Sequence, residues 1–323
     1  MNFTNIHNIS LPIAVWLLHD EYDYVHKPNY ISATSLLAPL KQFILSKRIP
    51  LEDRQMDASD FIAASFGTAV HDSIEKAWIK RGPELMEKLG IPKAICDRII
   101  VNPTDDYLRD NPDALPVWIE QRGFKEIDGY TVGGKFDIVI DKRLFDVKTT
   151  SVWAYIFGSR DEDHSRQGSI YRWLFPDLIK DDFVYINYVF TDWSKKDALA
   201  KPDSYPQLKT IEKAVPLMSL EQTEQWVRDQ IARIKKYRDK PESEIPECTD
   251  EDLWRSAPKY KYYSDPSKTS GRSTKNFDSK AEAHAHCQNA GKGVVIEEFG
   301  EVKRCGYCAA APICQQRLRY FDV

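Results

Sequence analysis

The sequence predicts an α/β fold, and three observations support this prediction. Apolar residues recur at helical spacing in residues 59–80 and 220–238, whereas residues 181–193 alternate β-branched and aromatic side chains as a strand does. Between these segments, residues 133–151 have the pattern of two short strands joined by a tight turn. The resulting order of helix, strands, helix, strand and helix is typical of an α/β core.

Composition and charge restrict the class of protein. The chain has 323 residues, of which 42% are apolar, so it can bury a substantial core. Its net charge is only −4, so a nucleic-acid partner has to bind local basic patches. No apolar run reaches the length of a membrane span, and the first residues lack the features of a secretory signal. We therefore expect a cytosolic protein without a membrane partner, whose six cysteines are metal ligands or buried thiols.

Two segments near the N-terminus predict regular structure. Residues 11–18 form an apolar run, for which we expect a buried strand or helix. Residues 31–48 predict a single helix with Ser32 or Thr34 as its N-cap and a basic C-terminal end. That basic end either faces a phosphate backbone or is solvated and stabilised by the helix dipole.

Two further helices place polar side chains at positions of interest. In residues 59–80, His71 lies beside an apolar stripe that marks the buried face of the predicted helix. In residues 165–175, Gln167 and Tyr171 are four apart and therefore share one face. Without other motifs, these would be a polar surface residue and an interfacial aromatic residue.

The hairpin in residues 133–151 carries charges where apolar side chains are expected. A turn between residues 141 and 142 brings Asp137 opposite Asp146, and Lys148 shares a face with Asp146 because strand side chains alternate. Val147 then points the other way, into the core. Like charges in such a pair are destabilising unless something lies between them.

A divalent cation is the natural partner of Asp137 and Asp146. Mg²⁺ and Mn²⁺ take carboxylate oxygens and bridge to phosphate, and Lys148 can orient water or offset phosphate charge. The alternative is an ordinary solvent-facing strand, since a slip of one residue would move the two acids to opposite faces.

Cysteines near the C-terminus have metal-ligand spacing. The run CGYCAAAPIC places Cys305, Cys308 and Cys314 as C-x2-C-x5-C, and four thiolates would suit either an iron–sulfur cluster or Zn²⁺. We expect Cys248 as the fourth ligand and Cys287 as the second choice. Cys96 lies in a helical apolar pattern and is expected to be a buried thiol.

Taken in order, these motifs resemble the RecB-like branch of the PD-(D/E)xK nuclease superfamily. The spacing D-x8-D-x-K matches its hairpin, QGSIY matches its Q-x3-Y motif, and the cysteine run is similar to that of its iron–sulfur members, including CRISPR-associated and AddB nuclease domains. YISATSLL and FDSKAEA also look like phage-encoded members. The residues that carry the resemblance, in chain order, are His71, Asp137, Asp146, Lys148, Gln167, Tyr171, Cys305, Cys308 and Cys314.

The resemblance implies a fold and a domain organisation. It implies a restriction-endonuclease-like core, with a central mixed sheet flanked by helices, in residues 1–240. A C-terminal iron–sulfur module in residues 241–323 would follow, with a small α/β insertion in about residues 259–299. Many iron–sulfur relatives have their fourth cysteine before the core, near the helix of residues 31–48, and this sequence has none there.

The resemblance also implies a chemistry. One or two Mg²⁺ or Mn²⁺ ions would be held by His71, Asp137, Asp146 and the carbonyl of Val147, with Lys148 positioning the attacking water. Gln167 and Tyr171 would contact DNA or support the metal ligands. Cys248 and the three clustered cysteines would hold a [4Fe–4S] cluster, or Zn²⁺, that joins the C-terminal segment to the core. Glu75, one turn after His71, and Glu120 could serve as outer-shell or additional metal groups, but both also fit surface or strand-edge acids, so they are left outside this set.

The expected ligand is DNA, as single strands or duplex ends. Residues 259–275 interleave lysines and an arginine with Tyr260, Tyr262 and Tyr263, as in a strand-binding surface, although a tyrosine-rich strand followed by a loop is an equal alternative. The activity implied is an exonuclease in phage recombination, repair or DNA processing, and a recombination or single-strand-binding protein is the partner that such a role implies. The alternatives are an endonuclease, a role in CRISPR adaptation, and a non-catalytic binding module.

Overall fold

The computed structural model describes residues 2–157 and 160–321, which form two compact units. The first unit consists of Met1–Ala38 and Leu51–Arg233, and the second of Pro39–Pro50 and Ile234–Val323. The longer stretch of the second unit begins at Ile234, inside the helix Leu220–Tyr237. The second unit also includes residues 39–50, which the division predicted from the sequence placed in the first domain.

The described residues contain eleven α-helices and fourteen strands in a mixed α/β arrangement. Helices α1 to α11 are Leu11–Leu17, Ala33–Leu36, Leu40–Arg48, Ile62–Lys88, Lys93–Cys96, Asp105–Asp110, Val152–Phe157, Asp161–Leu174, Lys195–Ala200, Leu220–Tyr237 and Lys280–Ala290. Strands β1 to β14 are Asn2–Thr4, Tyr30–Ser32, Gln55–Asp57, Ile99–Val101, Leu115–Ile119, Arg122–Ile127, Tyr130–Lys135, Ile138–Ile140, Arg143–Thr150, Phe183–Phe190, Thr210–Pro216, Lys259–Tyr263, Lys275–Phe277 and Val294–Glu298.

A six-stranded mixed sheet forms the centre of the first unit. Its order is β11-β10-β9-β8-β5-β4, in which β9 runs parallel to β10 and antiparallel to β8. A smaller sheet of order β2-β7-β6 also belongs to this unit. Strands β8 and β9 occupy the middle of the large sheet, so residues at their ends have rigid neighbours on both sides.

The predicted hairpin register is confirmed. Ile140 pairs with Arg143 and Ile138 with Phe145, as a turn between residues 141 and 142 predicted. Asp137, which the same count placed opposite Asp146, precedes the first residue of β8. The turn residues Asp141 and Lys142 both have positive φ values, 50° and 63°. Such a turn usually contains Asn-Gly or Asp-Gly, so packing of the strands, rather than turn chemistry, holds this hairpin in register.

Helix α4 packs on the sheet near this hairpin. Its Ile74 and Trp78 contact a buried cluster of Val117, Ile119 and Ile138. Ile74 and Trp78 are the C-terminal half of the apolar stripe that the sequence predicted, whereas Phe66, at the start of that stripe, is exposed. A Cβ at Gly67 would lie 3.3 Å from the Thr149 hydroxyl, so the small residue lets this helix approach the end of β9. His71 follows one turn later.

Two N-terminal predictions need correction. Residues 31–48 form two helices, α2 and α3, because Pro39 lacks an N–H group and disfavours helical geometry in the residue before it. Ser32 caps α2 by accepting a hydrogen bond from the N–H of Ser35, 3.1 Å away. Residues 11–18 include helix α1, but most of its apolar side chains are exposed rather than buried. Among the described residues, no helix combines the length and apolar character needed to cross a bilayer.

The second unit contains its own small sheet, of order β13-β12-β14. Both pairings are antiparallel, and α11 lies between β13 and β14 in the chain. After β14, the chain continues as short 3-10 helices at Arg304–Tyr307, Ala311–Ile313 and Arg317–Arg319. The three clustered cysteines therefore lie on irregular backbone.

Candidate functional site

Strand β9 presents Asp146 and Lys148 on one face, as predicted. Lys148 Nζ lies 2.7 Å from Asp146 Oδ2, and the Asp146 residue is only 3% exposed. Apart from this ion pair, Asp146 Oδ2 has no hydrogen-bond partner among the described residues. A buried carboxylate oxygen whose desolvation is offset by a single ion pair can accept a further cation.

Asp137 lies at the bend that precedes β8. Its Oδ2 accepts a hydrogen bond from the Val147 N–H at 2.8 Å and lies 3.4 Å from His71 Nδ1. Burial, followed by the charge of Asp146, raises the pKa of Asp137 from 3.8 to about 7, although His71 and Lys148 oppose the shift. In the absence of an added cation, this carboxyl group is therefore only partly ionised near neutral pH.

Glu120 is the functional candidate that sequence reasoning left out. Ligand atoms of His71, Glu120 and Asp137 all lie within 4.8 Å of one another, a spacing at which they could hold a metal ion. Glu120 has φ of +53°, which is rare for a residue with a side chain, and its N–H donates to the Asp137 carbonyl at 2.9 Å. Its carboxylate forms an ion pair with Lys135. The one sequence signal was an acidic residue directly after the strand Leu115–Ile119.

A small cavity lies at this point. Its volume is about 10 Å³, close to the space that a single water molecule needs. It accommodates one small ion rather than an organic ligand. Its lining residues are His71, Ile74, Glu75, Ile119, Glu120, Asp137, Ile138 and Val147.

Lys148 is held in its charged form. Burial lowers its pKa, but the carboxylates of Asp146 and Asp137 more than offset burial, so the pKa of Lys148 is raised overall. Beside it, His164 is buried, and burial lowers its pKa while the charge of Asp146 opposes that shift. A lysine with a raised pKa acts as a fixed cation near neutral pH, not as a proton acceptor.

Gln167 and Tyr171 contact each other on α8. Gln167 Nε2 donates to the Tyr171 hydroxyl at 2.8 Å, and the tyrosine ring packs so closely on Gly134 that a Cβ there would lie 2.8 Å from Tyr171 Cε1. Burial, then the charges of Asp146 and Asp137, raise the pKa of Tyr171 well above 10.0. Tyr171 is therefore a buried, neutral phenol near the two carboxylates.

The second unit brings four cysteines into electrostatic range of one another. Burial raises the pKa of Cys248 to about 12, and the charges of Asp252, Cys314, Cys308 and Cys305 contribute to the shift. A set of thiols that oppose one another's ionisation gains most from a metal, because coordination replaces the protons.

Hydrogen bonds hold the four-cysteine segment together. The side-chain amide of buried Gln316 accepts from the Cys248 N–H and donates to the Cys248 carbonyl, both at 2.9 Å. Next to it, the Gln315 N–H donates to Glu242 Oε1 at 2.8 Å, and buried Lys41 lies 3.2 Å from the same oxygen. Helix α3 is thus tied to the cysteine segment through the ion pair of Lys41 with Glu242.

The other two cysteines lie elsewhere. Cys96 is buried, and its Sγ donates to the Ile91 carbonyl at 3.6 Å. Cys287 lies on α11, with its Sγ 3.7 Å from the Lys292 carbonyl. Its charge is not among those that shift the pKa of Cys248.

The basic and aromatic segment 259–275 needs partial correction. Tyr262 and Tyr263, at the C-terminal end of strand β12, are buried. Lys261 Nζ lies 2.7 Å from Glu298 Oε1 on β14. These two tyrosines are core residues and are not available to stack on bases, so the prediction for this segment keeps only Tyr260 as a candidate aromatic contact.

No protein-family model matches the chain, and no curated protein matches it. Two solved structures are similar to it. SSO0001 has 16% identity and a TM-score of 0.42, over 70% of this chain and 87% of that one. A phage-related exonuclease from Haemophilus somnus 129PT has 17% identity and a TM-score of 0.26, over 52% of this chain and 74% of that one. Both TM-scores are below 0.5, so the function has to be inferred from the residues of this chain.

Proposed function

We propose that this chain is a divalent-metal-dependent nuclease of PD-(D/E)xK type, with a restriction-endonuclease-like core, that hydrolyses phosphodiester bonds in DNA. The observation that carries the proposal is the convergence of His71, Glu120 and Asp137 at one small cavity, beside the buried Asp146–Lys148 pair. Clustered carboxylates, a histidine and a lysine are the groups that metal-assisted phosphoryl chemistry uses.

The residues present fit Mg²⁺ or Mn²⁺. Glu120 and Asp137 offer oxygen ligands, His71 offers a nitrogen that favours Mn²⁺ somewhat, and Asp146 has a buried oxygen with one partner. The resemblance adds the carbonyl of Val147 to this set. A bound divalent ion supplies charge neutralisation at the phosphate and activation of water.

The remaining residues position the reactants. Lys148 is kept protonated by Asp146, so it attracts the scissile phosphate and orients water as a hydrogen-bond donor rather than removing a proton. Tyr171 is a neutral phenol whose hydroxyl is held by Gln167, so this pair supports the carboxylates from α8.

The four converging cysteines favour a second metal centre. Cys248, Cys305, Cys308 and Cys314 are buried or half-buried thiols whose charges interact, which fits a shared metal group. We propose a [4Fe–4S] cluster, with Zn²⁺ as the alternative, that stabilises the C-terminal segment. Anaerobically purified protein is expected to be brown and to contain iron and sulfide, whereas a colourless protein with stoichiometric zinc would overturn the choice of cluster.

The nuclease proposal is tested with end-labelled linear DNA and with circular single-stranded DNA, each with Mg²⁺ or Mn²⁺. The wild type is expected to degrade linear DNA from its ends, as an exonuclease of phage recombination or repair does. Asp146→Asn and Lys148→Ala are each expected to slow cleavage by at least about 100-fold. Asp177→Asn, a change at an exposed carboxylate, serves as the control.

Three outcomes contradict parts of this proposal. Undiminished cleavage by both site variants would show that the active site lies elsewhere. Cleavage of the circular substrate at the same rate as the linear one would show an endonuclease. Folded, metal-binding protein that cleaves neither substrate would favour a non-catalytic DNA-binding or partner-binding module.

A further inference from the structure

Helix α7 turns two stacked aromatic side chains towards solvent. Trp153 and Phe157 are four residues apart, their rings are 5.7 Å apart between centroids, and their planes differ by only 8°. Trp153 is 44% exposed and Phe157 is 78% exposed, whereas Val152 at the start of the helix is fully buried. A soluble surface rarely presents two large flat rings in parallel without a flat partner for them.

The same helix lies beside the proposed catalytic strand. It begins two residues after β9 ends, and the ring of Tyr155 on its inner side packs against Tyr188 at 5.0 Å between centroids. Tyr188 on β10 is the direct neighbour of Lys148 in the parallel pairing with β9. The stacked pair is therefore on the outer side of a helix that covers the strand position next to Lys148.

A cation lies over one of the two rings. Lys201 Nζ lies 5.2 Å from the centroid of the Trp153 ring, and it also lies 3.9 Å from Asp197. Lys195 and Lys196 are exposed on α9. Flat rings with cations beside them suit a base with its phosphate better than an apolar protein side chain.

We propose that Trp153 and Phe157 form a stacking site for an unpaired base, and that the ligand of this surface is a single-stranded nucleic acid. The inference rests on the proposed function, because it supplies the strand that the metal centre would cut. A base within a duplex already has both faces stacked on neighbours, so only an unpaired base can cover the outer face of Phe157.

The experiment measures binding of a fluorescein-labelled oligothymidine by anisotropy in EDTA, where no metal-dependent cleavage occurs. Phe157→Ala is expected to weaken binding by about 5- to 150-fold, the range that loss of one stacked base gives. Phe157→Leu should weaken it similarly because leucine has no ring, and Phe157→Tyr should bind as the wild type does. Leu199→Ala, at a leucine on α9 that is 75% exposed, is the matched control and should have no effect.

Two results would overturn the stacking site. If Phe157→Leu binds as tightly as the wild type, the ring is not used for stacking. If Leu199→Ala weakens binding as much as Phe157→Ala does, the surface is a general apolar patch that suits another protein. A blunt duplex should bind all variants equally.

The design separates this inference from the nuclease proposal. Binding that depends on Phe157, in a protein that cleaves no DNA with Mg²⁺ or Mn²⁺, would support the stacking site and contradict the nuclease proposal. Cleavage that depends on Asp146, with oligothymidine binding unaffected by Phe157→Ala, would support the nuclease proposal and contradict the stacking site.

Discussion

The two candidate metal centres place their ligand groups on different kinds of backbone. His71 and Asp146 lie on a long helix and a central strand, so their positions follow from helix packing and sheet register. The cysteines Cys305, Cys308 and Cys314 lie in or beside 3-10 helices. In this segment, hydrogen bonds between side chains and backbone take the place of the regular backbone hydrogen bonds of a sheet. We therefore expect the first site to be organised before a metal binds, and we expect the second to need its proposed metal to complete its fold.

The largest expected effect is therefore at the cysteines. Cys308→Ser replaces a thiolate ligand by a hydroxyl, and coupled binding and folding at thiolate sites involves on the order of 10 kcal/mol. We expect the bound metal to fall to near background and trypsin to cut first within residues 241–323. Metal analysis and mass spectrometry of the digest measure both effects.

Cys287→Ser is the control for this experiment and should change neither metal content nor the order of digestion. Full metal content and unchanged protease resistance in Cys308→Ser would show that the cysteines are not ligands. The second candidate metal centre would then be wrong.

The carboxylate site should behave in the opposite way when a ligand is changed. Asp137 has its pKa raised to about 7, so the stability it contributes is present below its unfolded pKa of 3.8 and is lost as pH rises through 7. Asp137→Asn removes the charge that burial and Asp146 disfavour. In EDTA at about pH 8, we expect this variant to be more stable than the wild type by on the order of 3 kcal/mol.

Urea unfolding at about pH 8 and pH 5 measures this difference, which should shrink at the lower pH because the wild-type carboxyl group is then protonated. Addition of Mn²⁺ should stabilise the wild type and not the variant. A less stable variant at the higher pH would mean that Asp137 is needed to hold the metal-free fold, contrary to a site organised in advance.

An intermediate effect is expected at Gln316, whose side-chain amide hydrogen-bonds to the backbone of Cys248. Gln316→Ala leaves the N–H and carbonyl of Cys248 without their side-chain partners, which costs about 2 kcal/mol. In metal-loaded protein, we expect iodoacetamide to label Cys248 while the other three cysteines stay protected. Peptide mapping by mass spectrometry identifies the labelled site.

The neighbouring residue provides the matched control. Gln315→Ala keeps the backbone N–H that donates to Glu242, so it should leave Cys248 protected. Labelling of all four cysteines in Gln316→Ala would indicate general loss of structure, and labelling of none would show that the amide does not position Cys248.

Local periodicity explains which parts of the fold could be predicted. The pairing of Ile140 with Arg143 and the helix that carries His71 both follow from patterns within a few residues, and the structure has both. Glu120 could not be placed in this way, because nothing in the run LPVWIEQRGF, residues 115–124, signals a turn at that residue. The structure instead turns the chain at Glu120, through its positive φ, towards the other ligands.

Contacts between distant residues explain the rest. The two hydrogen bonds between Gln316 and Cys248 join residues 68 apart, and the ion pair between Lys41 and Glu242 joins the third helix to the C-terminal segment. No spacing rule in the sequence predicts such pairs. The residue types could be read as ligands, but the side chains that position them could not.

The smallest effect concerns the turn that joins the two strands of the carboxylate site. The neighbouring hairpin of β6 and β7 turns through Asp128 and Gly129, both at positive φ, whereas the hairpin of β8 and β9 turns through Asp141 and Lys142 in the same conformation. Lys142→Gly removes the cost of a side chain at φ of 63° and should stabilise the protein by about 1 kcal/mol. Gly129→Lys should destabilise it by a similar amount, with both measured by urea unfolding. Because strand packing already fixes the register of Asp146 and Lys148, DNA cleavage should be unchanged in Lys142→Gly. Altered cleavage in that variant would mean that the turn residues, and not only the sheet, set the geometry of the site.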